Sequence, residues 1–266
     1  MVLALLLTGA EVFAPAVAAS VPFRPYDGPK PLAVWVQRDP WLWVIGSDTP
    51  RAVLYEDGEL VFARVTGRRT FSYRHRRLGH DELEAFKKVI ASAVAVRDLP
   101  KRFVLTERTD QPETLLYAQA GDREVAVAVY GMTAQDAVGS EGELGSVPDE
   151  LLALHRRLAT IGDAGSAEWQ PRLTEVMVWP SMGTMTDAIK WPSEWPGLKS
   201  ERTVQRHDGQ YSIYLDAALA PKLATFLSRR KEHGGVELDG KVWSMQPRPV
   251  FPSEPVWRVA FNRAAP

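Results

Sequence analysis

The feature that most constrains the fold is a set of two-residue turns between runs of β-forming residues. The three turns are Asp57-Gly58, Gly121-Asp122 and Asp239-Gly240. The runs that flank them are 52–55 and 59–63, 114–119 and 124–130, and 236–238 and 241–245. Tight hairpin turns need positive φ angles, which Gly and Asp tolerate at low cost. The sequence therefore predicts three β-hairpins, and strands joined in this way form an antiparallel sheet.

Helical patterns alternate with these hairpins. Leu83, Phe86 and Ile90 recur at helical spacing, which predicts a helix over 80–93. A second helix is predicted from Pro148, and a third from Asp216 to about His233. Further strands are predicted at 32–36, 69–78, 211–215 and 256–261. The predicted fold class is α+β: an antiparallel sheet built from repeated β-hairpin–helix units, with the helices on one face.

Composition removes several classes of chemistry. The chain has no cysteine, which excludes disulfides, thiolate nucleophiles, iron–sulfur clusters and cysteine-based zinc sites. Its 32 basic and 33 acidic residues give a net charge of −1. Binding to a polyanion depends on a basic surplus, so a nucleic-acid partner is not expected. No cofactor is expected either, because glycine-rich phosphate-binding loops are absent.

The N-terminus has the pattern of an export signal. Residues 2–10 form a short apolar run, and Ala16-Val17-Ala18 places small residues before a cleavage site. This predicts a signal peptide at 1–19 and a periplasmic or extracellular protein, although Glu11 interrupts the run and no basic residue precedes it. The alternative is a buried N-terminal helix. No other segment approaches the ~20 apolar residues of a membrane-spanning helix.

The rest of the chain is interpreted as one domain. Residues 20–31 are rich in proline and predict an extended tether. Residues 32–266 are expected to form a single α+β domain, and the alternative is two lobes that divide near residue 165.

Several short motifs, taken in order, resemble a known family. They are Arg51–Leu60, Arg77–Leu83, Thr114–Gly131, Trp195-Pro196 and Arg248–Glu254. In this order they are similar to uncharacterised secreted proteins of GC-rich bacteria, many of which are lipoproteins. The resemblance implies export and no particular chemistry. This chain lacks the cysteine that would carry a lipid, so the resemblance implies no acyl anchor here.

No catalytic motif stands out. A Gly-x-Ser-x-Gly pentapeptide is absent, and the Ser-x-x-Lys pattern at Ser228–Lys231 falls at a predicted helix end instead of a helix start. The histidines are isolated in sequence, so no metal site is expected; they are His75, His80, His155, His207 and His233. Paired carboxylates for glycoside cleavage remain an open alternative, with Glu175 and Asp187 as candidates.

A basic stretch and a tryptophan-rich loop are the candidate contact surfaces. Arg74 and Arg76 share one side of a strand and could face an anionic polymer, or they could be ordinary solvated charges. Trp179, Trp191 and Trp195 stand next to prolines, which favours an irregular loop that presents large rings to a ligand. The alternative is that these rings fold back onto the core.

The leading hypothesis is therefore an exported, non-enzymatic binding module. Its partner would be a protein, peptide or glycan of the cell envelope or medium, bound through Trp179, Trp191, Trp195, Arg74 and Arg76. The competing hypothesis is a secreted hydrolase with a carboxylate-based site near the tryptophan loop.

Overall fold

A computed structural model describes residues 23–40, 49–67, 70–132, 147–181, 187–231 and 234–264. The predicted signal peptide at 1–19, the first residues of the predicted tether and His233 lie outside these ranges. Within them the chain forms fourteen strands in two sheets, together with four α-helices.

The first sheet has eight strands, in the order β5-β7-β6-β1-β2-β3-β4-β8. Their bounds are β1 Pro31–Arg38, β2 Pro50–Tyr55, β3 Glu59–Gly67, β4 Thr70–Arg77, β5 Arg102–Val104, β6 Glu113–Ala120, β7 Arg123–Tyr130 and β8 Ala167–Glu168. Neighbouring strands are antiparallel except β5 and β7, which are parallel. The turn of the first hairpin contains Gly58 with φ of 83°, as the sequence predicts.

Both faces of the first sheet are apolar and covered. Ala33 and Trp35 of β1 face helices α1 (His80–Ala95) and α2 (Asp149–Ala159). The alternate residues Val34 and Val36 pack under helix α4 (Glu254–Ala264) on the opposite face. Because successive side chains of a strand point to opposite faces, burial of both faces requires the near-continuous apolar runs seen in these strands.

The second sheet has six strands, in the order β10-β13-β14-β9-β12-β11. Their bounds are β9 Leu173–Pro180, β10 Ile189–Lys190, β11 Thr203–His207, β12 Gln210–Asp216, β13 Val236–Leu238 and β14 Lys241–Pro249. Only β10 and β13 are parallel among these pairs. Helix α3 (Ala220–Ser228) covers one face through Leu223 and Phe226, which pack against residues such as Val176 and Ile213.

The two ends of the described chain join the sheets. Helix α4 follows β14 of the second sheet but packs on the first. Conversely, residues 23–30 precede the first sheet and contact the second: the ring centroids of Phe23 and Tyr214 lie 5.5 Å apart, and Tyr26 and Tyr214 share a 2.9 Å hydrogen bond between their hydroxyls. The described part of the segment predicted as a tether thus makes specific contacts with the second sheet.

The α+β class predicted from the sequence is confirmed, and the three predicted hairpins are present. The organisation into hairpin–helix repeats remains a prediction, since β4 intervenes between the first hairpin and α1. The prediction that the helices lie on one face is wrong for the first sheet, which carries helices on both. No helix among the described residues is long and apolar enough to span a membrane.

Two element predictions are corrected. Residues 256–261, predicted as a strand, belong to helix α4: Trp257, Ala260, Phe261 and Ala264 are buried at helical spacing. The prediction of one long third helix is also wrong. A short 3₁₀ turn at Ala217–Leu219 precedes α3, which ends at Ser228.

Candidate functional site

The second sheet has a polar face opposite α3, and a cleft of about 610 Å3 opens there. On β9 the residues facing α3 are Val176 and Val178, so Glu175, Met177 and Trp179 lie on the other face. Arg258 and Asn262 of α4 also line the cleft. The cleft therefore lies between the polar face of one sheet and the helix that covers the other, and we refer to it as the central cleft.

Five alternating charges run along the floor of the central cleft, and we call them the charge chain. In order they are Arg206, Glu175, Arg248, Glu254 and Arg258. Arg206 Nη2 donates to Glu175 Oε1 at 3.2 Å, and Arg248 Nη1 donates to Glu254 Oε1 at 2.7 Å. Arg248 Nη2 also pairs with Glu175, and Arg258 Nε pairs with Glu254. Arg248 therefore bridges two buried carboxylates.

The side chains in the middle of the charge chain are buried, and those at its two ends are partly exposed. The side chains of Glu175, Arg248 and Glu254 are 1–3% exposed, whereas those of Arg206 and Arg258 are 38% and 35% exposed. Burying charges costs several kcal/mol per ion before pairing compensates. The two partly exposed ends of the charge chain are both cationic, whereas its two carboxylates are buried.

Three hydroxyl groups accept hydrogen bonds from Arg206 at one end of the charge chain. Arg206 Nη2 donates to the hydroxyl of Tyr26 at 2.7 Å and also to that of Tyr214, and Arg206 Nε donates to Ser212 Oγ at 2.9 Å. Burial, followed by the charge of Glu175, raises the pKa of the Tyr214 hydroxyl far above its ordinary value. Tyr214 is therefore neutral at any physiological pH, and the cleft gains no negative charge from it.

Each buried carboxylate accepts three hydrogen bonds from inside the protein. Glu175 accepts from Arg206 and Ser212 on Oε1 and from Arg248 on Oε2. Glu254 accepts from both of its arginine neighbours on Oε1, and the backbone N–H of Phe251 donates to its Oε2 at 3.4 Å. These contacts fix both carboxylates inside the protein, where they are 1–2% exposed.

The three tryptophans named from the sequence occupy three different settings. Trp179 lines the central cleft. Trp191 is 4% exposed in the core under α3, with its ring centroid 5.7 Å from that of Phe226. Trp195 is partly buried and borders a separate shallow groove of about 460 Å3 beside α3. The structure therefore does not bring these rings together in one site.

Trp179 differs from the other partly exposed tryptophans. Trp195 stacks edge-on against Trp191 at 5.1 Å, and Trp169 stacks on Phe251 at 4.8 Å. Within the described part of the chain, Trp179 makes no such ring contact and its indole N–H makes no hydrogen bond. Its ring is therefore the aromatic surface that a ligand in the central cleft could cover.

The basic stretch named from the sequence contacts other parts of the protein. Arg74 donates from Nε to Ser166 Oγ and from Nη2 to the Ser166 carbonyl, both at 2.7 Å. Arg76 makes a two-pronged pair with Glu82 of α1, at 2.8 and 2.6 Å. These arginines join β4 to neighbouring segments and lie outside the central cleft.

The two acids proposed for glycoside cleavage are far apart. Register places Ile189 level with Val236, Trp243 and Pro180 across the second sheet, so Asp187 lies beyond the far end of β9 from Glu175. Asp187 precedes β10, which lies three strands away from β9, about 14 Å in the sideways direction alone. Asp187 instead pairs with Lys231 at 2.7 Å. In the described residues no cluster of His, Asp and Glu could hold a metal ion.

Sequence reasoning did not find most of the central cleft. Arg206, Arg248 and Arg258 come from β11, β14 and α4, which are distant in sequence. The available signal was alternation: Tyr211–Leu215 and Trp243–Arg248 each place polar residues at every second position of an otherwise apolar strand. Such a pattern marks a sheet with one polar face, but it does not say which polar side chains meet.

The fold and the site together define a mixed α/β protein of two largely antiparallel sheets with a charged, open cleft between them. The chain matches no protein-family model, no curated protein and no solved structure. The resemblance to secreted proteins of GC-rich bacteria therefore stays a prediction.

Proposed function

We propose that this protein is an exported, non-enzymatic binding module and that the central cleft is its ligand site. The observation that carries the proposal is the charge chain, whose two partly exposed arginine ends line an open cleft beside the partly exposed ring of Trp179. The cleft volume of about 610 Å3 lies within the range of small-ligand pockets. Export is supported by the sequence pattern of residues 1–19.

Energetics support recognition as the role of the charge chain. Replacement of a buried ion network by apolar side chains of similar volume is often neutral or stabilising. Apolar residues would therefore serve the scaffold at least as well at these positions, as they do on both faces of the first sheet. Charges in this place are better explained by a polar ligand than by stability.

The hydrolase alternative has less support. Glu175 is buried and accepts three hydrogen bonds from inside the protein, and Glu175 and Asp187 are too widely separated to work as a pair. A binding role requires neither proton transfer nor a nucleophile, so it fits the residues that the cleft contains.

The absence of cysteine offers a direct test. Gln210 is exposed and lines the cleft, so Gln210→Cys can carry a polarity-sensitive fluorophore at the site. We expect a saturable emission change when the labelled protein is titrated with a panel of small organic acids, their neutral amides, peptides and sugars.

The control is Lys88→Cys with the same label, because Lys88 is exposed on α1, outside the cleft. An equal response of both labelled proteins, or no response of Gln210→Cys to any member of the panel, would contradict a ligand site in the central cleft. N-terminal sequencing of the mature protein tests export, and an intact Met1 would count against it.

A further inference from the structure

We infer that the ligand of the central cleft carries a carboxylate attached to an apolar ring, as does the C-terminal aromatic residue of a peptide. This inference rests on the proposed function and adds the chemical class of the ligand. It combines three properties of the cleft: the exposure of guanidinium groups beside buried carboxylates, the fixed geometry of Arg206, and the apolar side chains beside it.

The exposed charge in the cleft favours an anion. The guanidinium groups of Arg206 and Arg258 line the cleft and are 38% and 35% exposed, whereas the carboxylates of Glu175 and Glu254 are 1–2% exposed. Both carboxylates are paired with arginines inside the protein, so they repel a ligand anion less than free carboxylates would. A ligand in the cleft therefore meets positive charge at the surface that it contacts.

The shape of the exposed donors favours a carboxylate. Arg206 donates from Nε to Ser212 and from Nη2 to Glu175 and the two tyrosine hydroxyls. Its Nη1 makes no hydrogen bond within the described residues. Its side chain is held in place by these bonds while remaining 38% exposed. A guanidinium fixed in this way presents a preorganised donor to a planar carboxylate, which lowers the entropic cost of binding.

The apolar side chains on the floor of the cleft favour an apolar ring. Met177 and Trp179 of β9 share the face that carries Glu175, and both line the cleft, with Pro180 at the end of the strand. Gly209 lies close to this strand end: a Cβ at that position would lie 3.3 Å from Cγ of Pro180. The partly exposed indole of Trp179 can pack on an aromatic ring in offset or edge-on geometry. A small inorganic anion would leave these apolar side chains without a contact.

The test compares matched probes on the unmodified protein by isothermal titration calorimetry. The probes are N-acetyl-L-phenylalanine, its neutral amide N-acetyl-L-phenylalaninamide, N-acetylglycine and phenyl phosphate. We expect the aromatic acid to bind at least about tenfold more tightly than its amide, because a hydrogen bond to a charged group is roughly twice as strong as a neutral one. N-acetylglycine, which lacks the ring, should bind more weakly than the aromatic acid.

Two variants and a control locate the effect. Arg206→Gln should remove most of the preference for acid over amide, whereas Trp179→Leu should weaken both probes to a similar extent. Arg123→Gln removes one exposed charge at the start of β7, away from the cleft, and should leave both affinities unchanged. The acid–amide comparison on the parent protein holds even if Arg206→Gln fails to fold.

Each failure has a distinct meaning. Equal binding of acid and amide would overturn the carboxylate inference while leaving a ligand site in place. Tighter binding of phenyl phosphate than of the aromatic acid would overturn it in favour of a phosphate ester. No binding of any probe, together with a silent Gln210→Cys reporter, would overturn both the inference and the proposed function. To distinguish a peptide end from a free acid, 3-phenylpropanoate replaces the acetylated amino acid; tighter binding of 3-phenylpropanoate would overturn the peptide assignment.

Discussion

The two sheets of this protein differ in the residues on the face that lies opposite their main helical layer. In the first sheet both faces are apolar and both are covered, by α1 and α2 on one side and by α4 on the other. In the second sheet the face under α3 forms an apolar core, and the other face carries charges and hydroxyls, together with Met177 and Trp179, along an open cleft. The first sheet therefore contributes apolar cores on both faces, whereas the second sheet contributes an apolar core on one face and polar contacts on the other.

The link between the sheets explains why the cleft is only partly filled. Helix α4 buries Trp257 and Phe261 against the first sheet, so only its far side, with Arg258, reaches the second sheet. A helix that is apolar on one stripe can complete only one core. The polar face of the second sheet is therefore bordered by α4 without being sealed by it.

The sharpest way to break this comparison is to remove the centre of the charge chain. Arg248→Met should lower the free energy of unfolding by about 3–5 kcal/mol, because Glu175 and Glu254 would remain buried without the guanidinium between them. Urea denaturation at neutral pH measures the change. Arg123→Gln is the matched control and should stay within about 0.5 kcal/mol. A loss below about 1 kcal/mol for Arg248→Met would show that Glu175 and Glu254 do not depend on Arg248 as a buried partner.

The apolar face of the second sheet gives the next largest effect. Trp191→Ala should cost about 3 kcal/mol, since the ring is buried against Phe226 and its removal leaves a cavity. Trp195→Ala should cost about 1 kcal/mol, because that ring is partly exposed at the groove. Thermal and urea unfolding of the two variants measure the difference. Equal costs would contradict the division into a core ring and a surface ring.

Local sequence patterns predicted some elements of this fold correctly and others incorrectly. Local signals predicted the three hairpins and helix α1, because turn chemistry and helical spacing are properties of neighbouring residues. They failed at 256–261, where Val256, Trp257 and Val259 favour a strand locally, but packing of Trp257 and Phe261 on the first sheet selects a helix. Pro255 in the first turn was a further signal for a helix.

The candidate site was predictable only in part. Trp179 was found, since a tryptophan next to a proline stands out locally. Arg206, Arg248 and Glu254 were not, because each is an ordinary charged residue until β11, β14 and α4 meet. Pairing between residues as distant as Glu175 and Arg248 follows from sheet register, which one sequence does not specify.

The hydroxyl of Tyr73, in β4 of the first sheet, makes the stability of that sheet depend on pH. Burial raises the pKa of Tyr73 to about 12, where its ring packs on Phe251 at 5.2 Å. Between pH 10 and 12 the unfolded chain loses this proton more readily than the folded one, so stability falls as pH rises through that window. Tyr73→Phe should therefore lose about 2 kcal/mol less than the parent between pH 9 and 12, measured by urea unfolding. Parallel curves for the two proteins would contradict a buried, neutral Tyr73.

The smallest effect is expected at Arg76 of β4, which pairs with Glu82 at the partly exposed margin of the face covered by α1. Its two hydrogen bonds to Glu82 are well formed, but the two side chains are 21% and 34% exposed, so solvent screens the pair. Arg76→Gln should cost about 0.5–1 kcal/mol at neutral pH, and it should leave binding in the central cleft unchanged.

The pH dependence of this variant separates a structural pair from a binding residue. The hydrogen bond from Arg76 lowers the pKa of Glu82, so the stability from the pair is present above the ordinary carboxyl pKa of about 4.3 and is lost as pH falls through the folded value. The difference between Arg76→Gln and the parent should thus shrink towards zero in acid, as followed by urea unfolding from pH 7 to pH 3. Arg77→Gln, which removes a more exposed pair with Asp57, is the control and should differ less from the parent at every pH. If Arg76→Gln instead weakened ligand binding without changing stability, the basic stretch would belong to the site and the contrast between the two sheets would fail.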